Sequence, residues 1–135
     1  MKRFTLLSLA LITLGISLTS CNNNLVDPAE LKRRTSVIGS WELVDIVTKS
    51  PQIGDATIVV YIDFNEDSSF ALSQQIGAGR LVRYHGTYVV QNGILSGTYS
   101  DGSSFGVKYK VERKDNILNL TAQNSVQDTY VYRHR

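Results

Sequence analysis

From residue 40 onward, apolar and polar positions alternate with the period of two that is typical of β-strands. The clearest run sets four apolar residues against four polar or small neighbours: Phe105, Val107, Tyr109 and Val111 against Gly106, Lys108, Lys110 and Glu112. The whole pattern predicts eight strands, over residues 40–49, 57–64, 69–75, 80–90, 94–100, 104–113, 116–122 and 128–134.

Short turns separate most of these strands. Asn92-Gly93 and Asp101-Gly102 favour the positive φ angles of tight hairpins, which make neighbours in sequence antiparallel neighbours in space. A meander with one apolar face must be covered by another element or close on itself. Closure also removes exposed strand edges, so we predict an all-β, eight-stranded antiparallel up-and-down barrel. Gly86 and Gly97, inside strands, predict bends or close backbone approach.

A short helix and a tether are predicted before the strands. Asp27 is a suitable N-cap residue and Pro28 suits a first helical turn, which predicts a helix over about residues 29–35. Three consecutive asparagines at positions 22–24 indicate a short flexible tether ahead of it.

The amino terminus carries a basic start, Lys2 and Arg3, followed by an uncharged apolar run over residues 4–18 that is too short to favour a membrane span. Leu18-Thr19-Ser20-Cys21 then resembles the lipobox of bacterial lipoproteins. The resemblance implies that the leader is removed and that Cys21, the only cysteine, carries a diacylglyceryl group, usually with a further acyl chain such as palmitate. The alternative is an ordinary secretory signal with an incidental cysteine.

These features divide the chain into a signal peptide (1–20), a lipidated tether with a short helix (21–36) and one barrel domain (37–135). Once Lys2 and Arg3 leave with the leader, 12 basic residues balance 12 acidic ones. This balance, with no long basic run, argues against nucleic acid as a partner. Lys32-Arg33-Arg34 is interpreted as a solvated stretch just above lipid headgroups.

Gly39-Ser40-Trp41, at the start of the first strand, resembles the Gly-x-Trp signature of the lipocalins. The wider pattern, from the lipobox to a closing Tyr130-Val131-Tyr132, is similar to lipocalin-like lipoproteins of the Bacteroidetes. The resemblance implies that Gly39 and Trp41 close one barrel end and that an arginine of the last strand packs across the indole. We assign that arginine to Arg133, with Arg135 as the second candidate.

Residues on the apolar faces are the candidates for a binding pocket. We expect its walls among Val60, Ile62, Phe70, Leu72, Tyr84, Tyr88, Tyr99, Phe105, Val107, Tyr109, Leu118, Leu120 and Tyr130. An eight-stranded barrel is just wide enough to be filled by its own side chains or to hold one small ligand, so a filled interior is the competing interpretation. A bulge at Gly86 would decide whether Arg83 and His85 or Tyr84 and Tyr88 face inward.

No motif of catalysis or metal binding stands out. His85 and His134 are the only histidines, fewer than a zinc site needs. A calcium loop that began in the acidic segment 63–69, at Asp63, would require glycine at its sixth position and glutamate at its twelfth, where Ser68 and Gln74 stand instead. No serine lies in a nucleophile elbow. We therefore predict no enzyme activity, no metal and no cofactor.

The sequence predicts a lipid-anchored protein of the cell envelope, on the periplasmic face of the outer membrane, that binds a small apolar or amphipathic molecule non-covalently. Asn22, following the lipidated cysteine, favours the outer membrane because aspartate there signals inner-membrane retention in enteric bacteria. The alternative is an envelope module with a filled barrel that binds a protein partner.

Overall fold

The computed structural model describes residues 27–49 and 57–135, so the leader, Cys21 and the tether lie outside the described residues. These described residues form one helix and eight strands: α1 (Pro28–Arg34), β1 (Gly39–Val47), β2 (Ile58–Phe64), β3 (Ser69–Ile76), β4 (Val82–Gln91), β5 (Ile94–Tyr99), β6 (Tyr109–Lys114), β7 (Ile117–Ala122) and β8 (Thr129–His134). The strands follow chain order in a closed antiparallel barrel, with β1 paired to β8. The predicted eight-stranded barrel is confirmed.

Helix α1 begins as its sequence predicts. The Asp27 carboxylate accepts a hydrogen bond from the Ala29 backbone N–H at 3.0 Å, and Pro28 occupies the first turn, where its missing N–H costs nothing. The helix ends at Arg34, and the Thr35 N–H donates to the Leu31 carbonyl at 3.1 Å. None of the seven helical residues is buried, so the helix rests on the barrel without entering its core.

The strand predicted over residues 104–113 begins later, at Tyr109. Ser104 forms only an isolated bridge with Thr98, and Gly106, at φ +80°, interrupts the extended backbone. The ladder between β5 and β6 is therefore reduced to two residue pairs. Phe105 still packs against the core, but it does so from the loop before β6.

Gly86 and Gly97 mark close approaches, as predicted. A Cβ at Gly86 would lie 2.1 Å from the Thr98 carbonyl oxygen, and one at Gly97 would lie 2.3 Å from the Phe105 ring. The backbone stays in register through Gly86, because β4 pairs continuously with both β3 and β5. The bulge considered at this position is absent, and the one in β1 lies between Leu43 and Asp45.

The continuous register settles which face of β4 is inside. Leu72, which belongs to the apolar interior, pairs with Tyr84, and Phe70 pairs with Gly86. Since directly paired residues of an antiparallel ladder share a face, Tyr84 and Tyr88 are on the inner face. Arg83 and His85 are exposed on the outer face.

The core follows the inner faces of all eight strands and continues into the segment before β1. Its buried members are Val37, Trp41, Val60, Ile62, Phe64, Phe70, Tyr88, Leu95, Val111, Leu118, Leu120 and Tyr132. The rings of Phe64 and Tyr88 meet edge to face at 4.9 Å, and the Tyr88 hydroxyl donates to the Asn65 carbonyl at 2.7 Å. This part of the interior is filled by side chains.

We predict that Gly86→Ala destabilises the fold by about 1–3 kcal/mol or more, because the added methyl group meets backbone atoms that cannot move without disturbing the β4–β5 ladder. Urea unfolding measures the change. Thr87→Ala, at the adjacent exposed position, is the control and should change stability by less than about 0.5 kcal/mol. Equal effects of the two substitutions would contradict the close approach at Gly86.

Candidate functional site

One end of the barrel is closed by Trp41, whose side chain is 0% exposed. Its indole N–H donates to the Val37 carbonyl at 2.7 Å, so the chain entering β1 folds across the ring. His134, the residue opposite Trp41 in β8, meets the indole edge to face at 5.2 Å. We call this region, formed by Val37, Trp41 and Arg113, the sealed end.

The cation over the indole is Arg113, at 4.9 Å from the ring centroid. Its guanidinium also donates to the carbonyl oxygens of Ile38 at 3.1 Å and Ser36 at 3.4 Å. Arg113 therefore holds the entering chain and covers Trp41 at the same time. Such a stacked cation contributes about 0.5–2 kcal/mol.

The assignment of Arg133 to this role was wrong. Arg133 pairs with Glu42, one residue after Trp41 in β1, and therefore lies on the outer face, where it makes an ion pair with Glu42 at 3.3 Å. Arg135, the second candidate, lies over the Tyr61 ring at 4.3 Å. The alternation in β6 could have identified Arg113 as the arginine over Trp41, since Arg113 lies on the same face of the strand as Val111, a buried residue.

Gly39 fits its predicted place beside Trp41. Its φ of +140° is uncommon for residues with a side chain. A Cβ there would lie 3.2 Å from the His134 imidazole and 3.4 Å from the indole nitrogen. The absence of a side chain at residue 39 therefore allows the close packing at the sealed end.

Beyond the filled part of the core, the barrel contains a cavity of about 340 Å³. Nine of the predicted residues line it: Val60, Ile62, Phe70, Leu72, Tyr99, Phe105, Tyr109, Leu120 and Tyr130. Eight further residues complete the wall: Leu43, Ile46, Ile58, Phe64, Gln74, Ile76, Leu95 and Tyr132. The volume lies at the lower end of the range for small-molecule sites.

Four of the predicted residues are not in the wall. Tyr84 is 42% exposed and contacts Tyr99 edge to face at 5.8 Å. Val107 lies in the loop before β6. Tyr88 and Leu118 are buried in the filled part of the core, where Leu118 pairs with Arg113. For Tyr84, Tyr88 and Leu118 the reason is that alternation gives the face of a residue but not its height along the barrel axis. For Val107 the reason is that the predicted strand does not extend to this residue.

The cavity opens at the end opposite Trp41. Ile46 near the end of β1, Ile58 at the start of β2 and Ile76 at the end of β3 form part of its wall. Ile76 is 55% exposed and Ile58 is also exposed. We call the region around these three isoleucines the mouth. The two ends of the barrel therefore differ, since one is the sealed end and the other is the mouth.

Polar groups in the cavity wall are neutral. No residue of the wall is charged among the described residues. Burial raises the pKa of the Tyr109 hydroxyl, and its proximity to Tyr130 adds to this effect. Burial likewise raises the pKa of Tyr132, with a further contribution from Tyr109. These hydroxyls keep their protons at neutral pH and remain hydrogen-bond donors.

A larger concavity lies outside the barrel, between α1 and strands β5 to β7. Its wall includes Glu30, Arg34, Lys110, Glu112 and Lys114, and it is a solvated cleft with charges of both signs. The interior cavity is smaller but lined almost entirely by apolar and aromatic side chains. Because ligand sites are mostly apolar with few polar groups, we take the interior cavity as the candidate site.

The two histidines lie apart from the cavity: His85 is on the outer face of β4 and His134 is against Trp41. Within residues 27–49 and 57–135, no three histidine, cysteine or acidic side chains come together as a metal site. The same part of the chain contains no helix with the length and apolar character required to cross a membrane.

Comparison with known proteins gives no match, whether to a family model, to a curated protein or to a solved structure. The fold and the cavity therefore carry the functional argument. They define a closed antiparallel barrel with one sealed end and an apolar interior cavity.

We predict that Arg113→Met lowers the free energy of unfolding by about 1–3 kcal/mol, because it removes charged hydrogen bonds to two carbonyl groups and the cation over Trp41. Arg133→Met is the matched control. Its exposed ion pair with Glu42 should contribute less than about 1 kcal/mol. Urea unfolding compares the two, and a larger loss for Arg133→Met would contradict the assignment of Arg113.

Proposed function

We propose that this protein is a lipid-anchored binding protein of the cell envelope whose barrel takes up one small apolar or amphipathic molecule, without chemical turnover. The observation that carries the proposal is the 340 Å³ apolar cavity between the sealed end and the mouth. If the barrel had no ligand, side chains that filled this space would increase its stability, because an empty apolar cavity is destabilising.

The size of the cavity limits the ligand. At about 30 Å³ for each water-sized group, it accommodates on the order of a dozen non-hydrogen atoms. At about 0.5 kcal/mol per atom, such a ligand binds with about 6 kcal/mol, which corresponds to a dissociation constant of tens of micromolar. A longer ligand extends through the mouth and gains further contacts there.

The proposed anchor fixes the orientation of the barrel. Five residues lie between Cys21 and Asp27, which gives a reach of at most about 20 Å. Helix α1 lies at the sealed end, where Thr35 approaches Gly93 and Arg113 binds the Ser36 carbonyl. A lipid on Cys21 therefore holds the sealed end toward the membrane, with the exposed Lys32-Arg33-Arg34 near the headgroups, and the mouth opens away from it.

The proposed location is the periplasmic face of the outer membrane. It follows from the lipobox-like segment and from Asn22 after the lipidated cysteine. Protease treatment of whole cells tests it. We expect the protein to be protected from the protease in intact cells and to be cleaved after the outer membrane is permeabilised.

A second candidate function is supported by apolar side chains around the mouth. Ile58, Ile76, Leu81 and Val82 are all exposed on or beside β2, β3 and β4. Exposed apolar residues in one region are typical of contact sites, so an envelope protein docking at the mouth is the alternative. Cross-linking in intact envelopes should then recover a stoichiometric partner, whereas co-purified small molecules alone favour the first function.

We predict that Leu72→Trp, which enlarges a side chain of the cavity wall, weakens binding of an apolar fluorescent probe by about tenfold or more. The indole occupies volume that the ligand needs. Val89→Trp is the matched control, because Val89 is 57% exposed on the outer face. Fluorescence titration of the lipid-free domain measures both. Unchanged affinity in a folded Leu72→Trp variant would contradict binding in the cavity.

We predict that Cys21→Ser moves the protein from the membrane fraction to the soluble fraction, because a serine cannot carry the thioether-linked lipid. Each buried methylene of the acyl chains contributes about 0.8 kcal/mol to anchoring. Detergent phase partitioning after expression in a bacterial host measures the change. Ser20→Ala, next to the proposed cleavage point, is the control and should remain lipidated, since small residues are accepted there.

A further inference from the structure

The cavity wall contains polar groups that lack a hydrogen-bond partner within the described part of the chain. Tyr99, Tyr109, Tyr130, Tyr132 and Gln74 line the cavity. Within the described residues, none of their side chains has a hydrogen-bond partner, whereas Tyr88, outside the cavity, donates to the Asn65 carbonyl at 2.7 Å. Of the five residues only Tyr132 is buried, and the other four are partly exposed. Their polar groups therefore face the open space of the cavity, where a ligand can reach them and supply the partners that they lack.

These polar groups lie on two sides of the cavity. The rings of Tyr109 and Tyr130 are 6.1 Å apart, and Tyr132 follows Tyr130 on the same face of β8. Gln74, in β3, lies on the far side of β1 and β2 from β8. The tyrosine group therefore offers two or three hydroxyl donors to the same region, while the remaining wall is apolar.

The cavity also lacks any charge to balance an ionised ligand. None of its wall residues is acidic or basic among the described residues. Moving an unpaired ion from water into such a site costs several kcal/mol. Carboxylates and ammonium ions are therefore poor ligands, although a fatty-acid tail would match the apolar wall. Burial also keeps the Tyr109 and Tyr132 hydroxyls protonated, since it raises the pKa of both.

We propose that the cavity selects an uncharged molecule that combines an apolar body with an oxygen acceptor, such as a ketone, ester or ether, and that at least one hydroxyl among Tyr109, Tyr130 and Tyr132 donates to that oxygen. The inference rests on the proposed function, because it names the class of ligand for the same cavity. It assigns the tyrosines a recognition role and the isoleucines and leucines a packing role.

The test uses three probes of nearly equal shape on the lipid-free domain: acetylnaphthalene, isopropenylnaphthalene and the naphthoate anion. The ketone should bind about 3- to 10-fold more tightly than the hydrocarbon, as expected for one added hydrogen bond. Naphthoate should bind more weakly than either neutral probe. Isothermal titration or intrinsic probe fluorescence measures the three affinities.

The variant Tyr109→Phe/Tyr130→Phe/Tyr132→Phe should remove the preference for the ketone while leaving hydrocarbon binding within about twofold of the parent. Tyr61→Phe, on the outer face, is the control and should keep the preference. If the triple variant does not fold, the three single variants are compared, and at least one must reduce the preference.

Three outcomes show whether the inference alone fails or the proposed function fails with it. Equal binding of ketone and hydrocarbon, unaffected by the tyrosine substitutions but lost in Leu72→Trp, overturns the tyrosine role and leaves cavity binding in place. No binding of any neutral probe overturns both. Tighter binding of naphthoate than of the ketone also overturns the inference.

Discussion

The pairing of β1 with β8 is the constraint on which the rest of the molecule depends, because it gives the eight-stranded meander an inside. Six residue pairs, from Trp41 opposite His134 to Val47 opposite Thr129, join the first strand to the last. Two other ladders are shorter: β1 meets β2 over four pairs and β5 meets β6 over two. The same ladder brings Trp41 and His134 together, so the pairing that closes the sheet also seals one end of the barrel.

Sealing one end and not the other produces the functional asymmetry. Near Trp41 the interior is occupied by buried side chains such as Phe64, Tyr88 and Leu118. Toward the mouth, the side chains do not fill the interior completely, and a cavity remains. Phe105 is an example of a side chain that limits the size of this cavity. Its ring enters from the loop before β6 and packs against Gly97 and Phe70.

Much of this architecture could be predicted from the sequence because strand faces and turns are local properties. Alternation identified the inner residues, and Asn92-Gly93 adopts the two positive φ angles expected of a hairpin. Height along the barrel axis is not local: Leu118 and Leu120 share a face, yet only Leu120 lines the cavity. The arginine at the sealed end was missed for a related reason. The family resemblance directed attention to β8, while the periodicity of β6 already placed Arg113 inside. The late start of β6 depends on Gly106 and on packing of Phe105, which alternation does not report.

Residue-resolved amide hydrogen exchange along β8 tests barrel closure most directly. In the closed barrel, Thr129–His134 has β7 on one side and β1 on the other, so consecutive amides should be protected in both directions. In an open sheet, β8 would be an edge, and every second amide would exchange as fast as those of the exposed turn residues Ala78 and Arg80. The account predicts continuous protection from Tyr130 to Arg133. Protection that alternates along this strand would contradict it.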